Sequence, residues 1–134
     1  MPMAKYIGGH GASVRSTIDY LTKDGRSVAT DYINCWEIDR LGRPVWRQMD
    51  ECRHALCGDT VRSGIESSTW LHIVVSPDPR DRVDLATLRD LALSWARRHF
   101  GAFQVAIYYH DDNVLRIPHA HLVVNNANLE LPGR

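Results

Sequence analysis

The sequence predicts an α+β fold in which an antiparallel-rich central sheet carries helices packed on one side. Runs of β-branched and apolar residues, typical of strands, alternate with segments whose apolar residues recur at helical spacing. The last two predicted strands follow one another directly across a polar loop, which favours an antiparallel hairpin. This mixture of strand–helix units and a hairpin is typical of a sheet with helices gathered on one face.

The first half of the chain alternates strands with helices. Val14, Ile18 and Leu21 recur at the spacing of one helix face. Ser13 can cap the start of this helix, and Gly25 can end it. The predicted elements of this half are a strand over 4–8, a helix over 13–23, a strand over 28–36, a helix over 45–56 and a polar loop over 59–68.

The second half contains the clearest strand signal. Residues 69–75 are almost continuously apolar or β-branched, and Ser76-Pro77 ends the run. Asp84 can cap the long helix that follows, and Gly101 can end it. The predicted elements of this half are a strand over 69–75, a helix over 84–99 and strands over 103–109 and 119–125.

Length and composition indicate one globular domain over residues 1–134. The formal net charge is zero, which argues against broad coating of duplex DNA through many phosphate contacts. No apolar run approaches the roughly 18 residues that cross a bilayer. The N-terminus does not resemble a signal peptide, so a cytoplasmic location is expected. The three cysteines are expected to be free thiols.

Three histidines near the predicted hairpin are the most informative feature of the sequence. His119 and His121 alternate with Ala120 and Leu122, so both imidazoles project from the same face of a strand. His110 ends the preceding strand, where a hairpin places it beside them. Three neutral nitrogens leave coordination positions open, which is typical of a catalytic metal site. The alternative is an accidental grouping, because four of the seven histidines lie elsewhere.

The order of the surrounding motifs narrows the chemistry. In chain order they are Leu71-His72-Ile73-Val74-Val75-Ser76-Pro77, a long helix, His110-Asp111-Asp112, and Pro118-His119-Ala120-His121-Leu122-Val123-Val124-Asn125. This order resembles the HUH endonuclease superfamily, and specifically the relaxases of conjugative and mobilisable plasmids of the VirD/MobP type. The following residues 126–134 also resemble the continuation of that family. The resemblance covers roughly residues 5–134 and is strongest over 71–128. It implies a single relaxase nuclease domain over 1–134, either a truncated or a minimal catalytic core.

The resemblance implies an HUH endonuclease-like fold and a divalent metal held by His110, His119 and His121. Relaxases generally work with Mg²⁺ or Mn²⁺, although imidazole ligands also suit Zn²⁺, Co²⁺ or Ni²⁺. The implied activity is site-specific nicking and rejoining of single-stranded DNA through a 5′-phosphotyrosyl intermediate. The implied partners are single-stranded or hairpin origin-of-transfer DNA and accessory mobilisation proteins.

Tyr20 is the nucleophile that the resemblance implies. Relaxases carry this tyrosine near the N-terminus, ahead of the histidines, and residues 15–25 resemble the helical segment that contains it. A tyrosine packed on the sheet is the structural alternative for this position. The other four tyrosines compete with it, which are Tyr6, Tyr32, Tyr108 and Tyr109. Tyr6 and Tyr108 are the main competitors, and Tyr108 shares a strand face with His110.

A free tyrosine has a pKa of about 10, so a base or a nearby cation must assist the attack. Asp112 and His72 are the candidates for this catalytic help. His72 faces away from its apolar strand neighbours, and a buried structural histidine is the alternative interpretation.

Two other function classes fit the same residues. One is a three-histidine metal-dependent hydrolase of a small molecule, which would form no covalent tyrosine adduct. The other is a non-catalytic nucleic-acid-binding module, which would bind no metal. Most basic residues lie before Ser68, together with Trp36 and Trp46, so this half is expected to contact phosphates and to stack on unpaired bases.

Overall fold

The computed structural model describes residues 3–9, 13–57, 69–113 and 115–130, with only the backbone for 3, 4 and 6–9. The predicted loop over 59–68 therefore lies outside the described residues, as does the end of the family-like segment, 131–134. The helices and strands are β1 (Met3–Gly9), α1 (Arg15–Thr22), β2 (Ala29–Ile33), α2 (Val45–Cys57), β3 (Trp70–Ser76), α3 (Leu85–Phe100), β4 (Val105–His110) and β5 (His119–Asn125). Each of them corresponds to an element predicted from the sequence.

The five strands form one sheet in the order β1-β3-β5-β4-β2, and every neighbouring pair is antiparallel. The predicted α+β class with an antiparallel sheet is confirmed. β5 is the central strand, flanked by β3 and by β4. In the register of the β4–β5 hairpin, His110 lies opposite His119 and Tyr108 lies opposite His121. The hairpin therefore brings the three histidines to one end of the sheet.

The helices cover both faces of the sheet rather than one. On one face, α3 packs Leu88, Ala92 and Ala96 against strand residues that include Ile107 and Leu122. On the other face, α1 and α2 pack in a separate cluster around alternate strand positions. The reason is visible in β4, in which all six residues are buried. A strand that is apolar at both odd and even positions needs cover on both sides.

The start of α1 depends on a contact from another helix. The predicted cap, Ser13, lies before α1 and accepts the backbone N–H of Arg15, its first residue, at 3.1 Å, but Val14 at the N-cap position makes no side-chain capping bond. Asp50 of α2 instead accepts the backbone N–H of Val14 at 3.0 Å and the hydroxyl of Ser13. This tertiary contact fixes the direction of α1 against α2 and so positions the last turn of α1.

Other local predictions agree with the structure. Asp84 accepts the backbone N–H of Thr87 at 2.8 Å and caps α3. Gly25 adopts φ +71°, the left-handed conformation that glycine favours after a helix. The cysteines Cys35, Cys52 and Cys57 are free. Within the described ranges, no helix is both long and apolar enough to cross a membrane.

Candidate metal centre and its surroundings

Three imidazoles meet where β4 ends and β5 begins. One nitrogen from each of His110, His119 and His121 lies within 4.8 Å of the other two. The ring centroids of His110 and His121 are 4.5 Å apart, and those of His119 and His121 are 5.0 Å apart. The strand alternation and the hairpin therefore place the three side chains together as the sequence predicts.

Two of these rings each present a buried nitrogen without a partner. His110 donates from Nε2 to the carbonyl oxygen of Leu21 at 2.7 Å, which leaves its Nδ1 buried with no hydrogen bond. His121 contacts His72 through Nδ1 at 3.0 Å, which leaves its Nε2 buried with no hydrogen bond. Buried polar atoms are rarely left unpaired, and such atoms require an explanation. Two such nitrogens in one cluster of histidines fit a site that could hold a metal ion.

His119 also has a hydrogen-bond partner at its outer nitrogen, which is the ring nitrogen that points away from the cluster. Its Nδ1 lies 3.4 Å from the carbonyl oxygen of Ile117, so Nε2 is the nitrogen available to the cluster. Each of the three rings thus has one nitrogen engaged outside the cluster and one nitrogen left for it. Metal-ligating histidines have this arrangement, because the outer hydrogen bond fixes both ring orientation and tautomer.

The electrostatics favour neutral imidazoles. Burial, followed by the neighbouring histidines, lowers the pKa of His121 to about 3. Burial also lowers the pKa of His110 and of His72. A metal ligand must be deprotonated, so these shifts keep the nitrogen lone pairs available near neutral pH. The donor set fits a divalent transition metal with further coordination positions open.

Tyr20 lies on the last turn of α1, next in the chain to Leu21, whose carbonyl oxygen contacts His110 of the cluster. Its side chain is 64% exposed, whereas the next residue, Leu21, is fully buried. The Leu21 carbonyl accepts both the His110 ring N–H and the hydroxyl of Ser27, the latter at 3.0 Å. The end of the helix that presents Tyr20 is therefore tied directly to a histidine of the cluster.

Arg26 links Tyr20 to Asp112. Its guanidinium carbon lies 4.9 Å from the centroid of the Tyr20 ring, and its Nε donates to the Asp112 carboxylate at 2.9 Å. The hydrogen bond to Asp112, with a smaller contribution from Tyr20, raises the pKa of Arg26. The same hydrogen bond lowers the pKa of Asp112, which is therefore ionised at neutral pH. Sequence reasoning missed Arg26, because nothing in its local sequence marks it.

The competing tyrosines differ from Tyr20 in exposure. Tyr108 is 1% exposed, and burial raises its pKa far above the usual range. Burial also raises the pKa of Tyr32 and of Tyr109. The side chain of Tyr6 is outside the described part of the chain. Among the tyrosines whose side chains are described, Tyr20 is thus the exposed one, while Tyr32 is half-buried and Tyr108 and Tyr109 are buried.

Asn125 and Ser76, which belong to the motifs that resemble relaxases, make contacts that hold the fold together. Asn125 is fully buried at the far end of β5, where its amide nitrogen donates to the Met49 carbonyl at 2.8 Å and to the Gln104 side chain at 3.1 Å. It fastens α2 to the sheet. Ser76 is the last residue of β3, and its strand register pairs it with Met3.

The two tryptophans expected to stack on bases differ. Trp36 is 63% exposed, whereas Trp46 is half-buried beneath the guanidinium of Arg15, 4.6 Å from its ring centroid. Trp36 follows β2 at the end of the sheet opposite the histidines, because Ile33 pairs with Val105 and Ala29 with Tyr109. Of the two, Trp36 is the available stacking surface.

Comparisons with known proteins agree with this fold. The chain is similar to a MobM relaxase domain (MOBV; Mob_Pre) bound to plasmid pMV158 oriT DNA of 22 nucleotides with a 3′ thiophosphate. That Mn-bound crystal structure superposes with a TM-score of 0.59 at 12% identity, over 92% of this chain and 69% of that chain. A second Mn-bound MobM structure, with 23 nucleotides of oriT DNA, gives a TM-score of 0.56 at 12% identity, over 92% and 67% of the two chains. At such identities the likeness establishes the fold.

A comparison with curated proteins gives no match. The family model for relaxases, described as MobA/VirD2-like, nuclease domain, matches residues 20–131. This span begins at Tyr20 and includes all three clustered histidines. The chain therefore belongs to the MobA/VirD2-like relaxase nuclease-domain family.

Proposed function

We propose that this chain nicks and rejoins single-stranded DNA at a specific site during plasmid or mobile-element mobilisation, with Tyr20 as the nucleophile. The observation that carries the proposal is the hydrogen bond from His110 to the Leu21 carbonyl. It ties the helix turn that presents an exposed tyrosine to the cluster with two unpartnered buried nitrogens. Family membership supports DNA cleavage as the reaction class.

In the proposed reaction, the Tyr20 hydroxyl oxygen attacks the phosphorus of one phosphodiester. The bond from phosphorus to the 3′-oxygen breaks, and the downstream strand becomes linked to Tyr20 through its 5′-phosphate. The tyrosine loses its proton to solvent, and the leaving 3′-oxygen gains one. Because a phosphodiester is exchanged for another, attack by the 3′-hydroxyl reverses the step and reseals the strand.

Arg26 and Asp112 support the nucleophile in this proposal. The Arg26 guanidinium lies over the Tyr20 ring, where its positive charge offsets negative charge that develops on the tyrosine oxygen and the phosphate. Asp112 holds this guanidinium in place through their ion pair. Its lowered pKa makes it a weak base, so orienting Arg26 is the role that its surroundings favour.

His110, His119 and His121 would hold the metal ion through His110 Nδ1 and the Nε2 atoms of the other two. When bound, a divalent cation supplies a Lewis acid that polarises the scissile phosphate. Mn²⁺ is present in the MobM structures, which supports Mn²⁺ or Mg²⁺ here, while the imidazole donors also suit Zn²⁺, Co²⁺ or Ni²⁺.

The proposed DNA partner is single-stranded or hairpin origin-of-transfer DNA, since the MobM neighbours are bound to oriT DNA. Accessory mobilisation proteins and a cytoplasmic site of action belong to the same proposal. Residues 1–134 are proposed to act as one nuclease domain.

The direct test is to incubate the protein and Mn²⁺ with single-stranded oligonucleotides whose sequences come from the DNA next to the gene that encodes the protein. A denaturing gel should show one cleaved product with a free 3′-hydroxyl and a second product that remains on the protein. Cleavage that leaves both fragments free of protein would instead favour a hydrolase that uses water.

DNA binding is expected to depend on the exposed side chain of Trp36. Single-stranded DNA is expected to bind better than blunt duplex, with affinity that falls as salt rises. Trp36→Ala should weaken binding by about 5- to 100-fold, the range for loss of one stacked base. Leu91→Ala is the matched control, because Leu91 is an exposed apolar residue of α3, which lies on the other face. Equal affinity for both DNA forms without salt dependence would contradict this surface.

Removal of the Arg26 charge should slow cleavage without weakening metal binding. Arg26→Ala is expected to lower the nicking rate by about 100-fold, the scale seen when one charge-stabilising group is lost. Mn²⁺ affinity should stay the same or rise slightly, because a cation near the cluster repels another cation. The measurements are single-turnover nicking and calorimetry with Mn²⁺. The control variant is Arg98→Ala, because Arg98 is exposed on α3. Wild-type nicking by Arg26→Ala would remove Arg26 from the mechanism.

A further inference from the structure

His72 has no part in the proposed reaction, yet it contacts the histidine cluster. It lies on β3 next to the central strand, opposite Val123 in the register. Its Nε2 is 3.0 Å from Nδ1 of His121, and the two ring centroids are 5.2 Å apart. This contact engages the outer nitrogen of His121, whose Nε2 is one of the two unpartnered buried nitrogens.

A hydrogen bond between two neutral imidazoles has one proton and two arrangements. If His121 donates from Nδ1, its Nε2 carries a lone pair toward the cluster. If His72 donates from Nε2, then His121 must carry its own proton on Nε2, and that nitrogen cannot bind a metal. Only the first arrangement is compatible with His121 as a ligand.

The other two rings have no such choice. The outer nitrogens of His110 and His119 face the carbonyl oxygens of Leu21 and Ile117, which can only accept a hydrogen bond. These backbone acceptors fix the tautomers of both rings. The partner of His121 is a side chain that can either accept or donate, so it is the adjustable position around the centre.

We propose that His72 is a positioning residue for metal binding, which accepts a hydrogen bond from His121 Nδ1 and thereby directs His121 Nε2 to the metal. This inference rests on the metal centre in the proposed function. In the metal-loaded protein, His72 carries its single proton on Nδ1, away from His121. The group that holds His121 is thus a neutral acceptor rather than a carboxylate, and a stronger acceptor at this position strengthens metal binding.

Three substitutions at His72 separate hydrogen bonding from packing. His72→Leu keeps bulk but removes the acceptor, and it should lower Mn²⁺ affinity by about 10- to 100-fold, as other losses of such partners do. His72→Gln can place an amide oxygen near the position of Nε2, and it should stay within a few-fold of wild type. His72→Glu supplies a stronger acceptor and should bind Mn²⁺ more tightly. Calorimetry with Mn²⁺ alone measures all three.

The matched control is His99→Leu, since His99 is exposed on α3, the helix of the other sheet face. Its Mn²⁺ affinity should equal that of wild type. Thermal unfolding of the metal-free variants checks that each one folds. Wild-type affinity in His72→Leu, or an equal loss in His72→Gln and His72→Leu, would overturn the positioning role.

A spectroscopic measurement tests the tautomers directly. In proton–nitrogen spectra of the Zn²⁺-loaded wild-type protein, His121 should be protonated on Nδ1 and His72 should be protonated on Nδ1 with a bare Nε2. A proton on His72 Nε2 in the loaded protein would contradict the inference.

Neither measurement requires DNA cleavage, so the two proposals can fail separately. Mn²⁺ binding that depends on His72, in a protein that does not nick, would retain the positioning role and contradict the nicking reaction. Normal nicking with a metal affinity that does not depend on His72 would retain the nicking reaction and contradict the positioning role. A wild-type protein that binds no Mn²⁺ would contradict both.

Discussion

Tyr20→Phe is expected to abolish covalent attachment of the protein to DNA while it leaves DNA and Mn²⁺ binding intact. The substitution removes one hydroxyl from a largely exposed side chain, so the fold and the histidine cluster should not change. Loss of a nucleophile commonly lowers turnover by about 10³-fold or more, which puts the adduct below detection on a gel. The measurement is a detergent gel of boiled samples after incubation with Mn²⁺ and a cognate single strand.

The control for this variant is Tyr32→Phe, at a half-buried tyrosine of β2 that stacks edge-on against Tyr108. It should form the adduct as wild type does. An adduct formed by Tyr20→Phe at the wild-type rate would move the nucleophile to another residue. Cleavage by Tyr20→Phe, Tyr6→Phe and Tyr108→Phe alike would indicate attack by water and would contradict transesterification.

The double variant His119→Ala with His121→Ala is expected to lose both Mn²⁺ binding and strand cleavage. These two residues supply two of the three converging nitrogens, and a single remaining imidazole holds a divalent ion weakly. The fold should persist, because both side chains are partly exposed and the Nε2 of His121 has no protein partner to lose. His110 is less suitable, since its ring also anchors Leu21 of α1.

Calorimetry with Mn²⁺ measures whether metal binding is lost, and circular dichroism of the metal-free protein measures whether the fold persists. His99→Ala, on the opposite face, controls for the loss of a histidine. Unchanged Mn²⁺ affinity in the double variant would show that the ion binds elsewhere, even if cleavage were lost.

The sequence predicted the hairpin and its histidines because strand alternation is a local property. His119 and His121 share a face since every second side chain does, and a polar loop between two strands leads to antiparallel pairing. The pairing of His110 with His119 follows from the same pattern. The three helices were predicted equally well, since each one has its own apolar stripe.

What the sequence could not predict depends on contacts between distant segments. Arg26 reaches Asp112 across 86 positions, and Asp50 caps a helix that begins 35 residues earlier, so no local pattern announces either contact. The cover on both sheet faces was missed for a different reason. The uninterrupted apolar run of β4 indicates burial on both sides, whereas the polar histidine face of β5 suggests an open surface.

Peptide mapping of the protein–DNA adduct by mass spectrometry identifies the residue that attacks the DNA. The wild-type protein is incubated with Mn²⁺ and a cognate single strand, and the adduct is then digested with nuclease and protease. A residual nucleotide is expected on the peptide that contains Tyr20, joined through a 5′-phosphate. A nucleotide on a peptide with Tyr6 or Tyr108 instead, or cleaved DNA with no modified peptide, would contradict Tyr20 as the nucleophile.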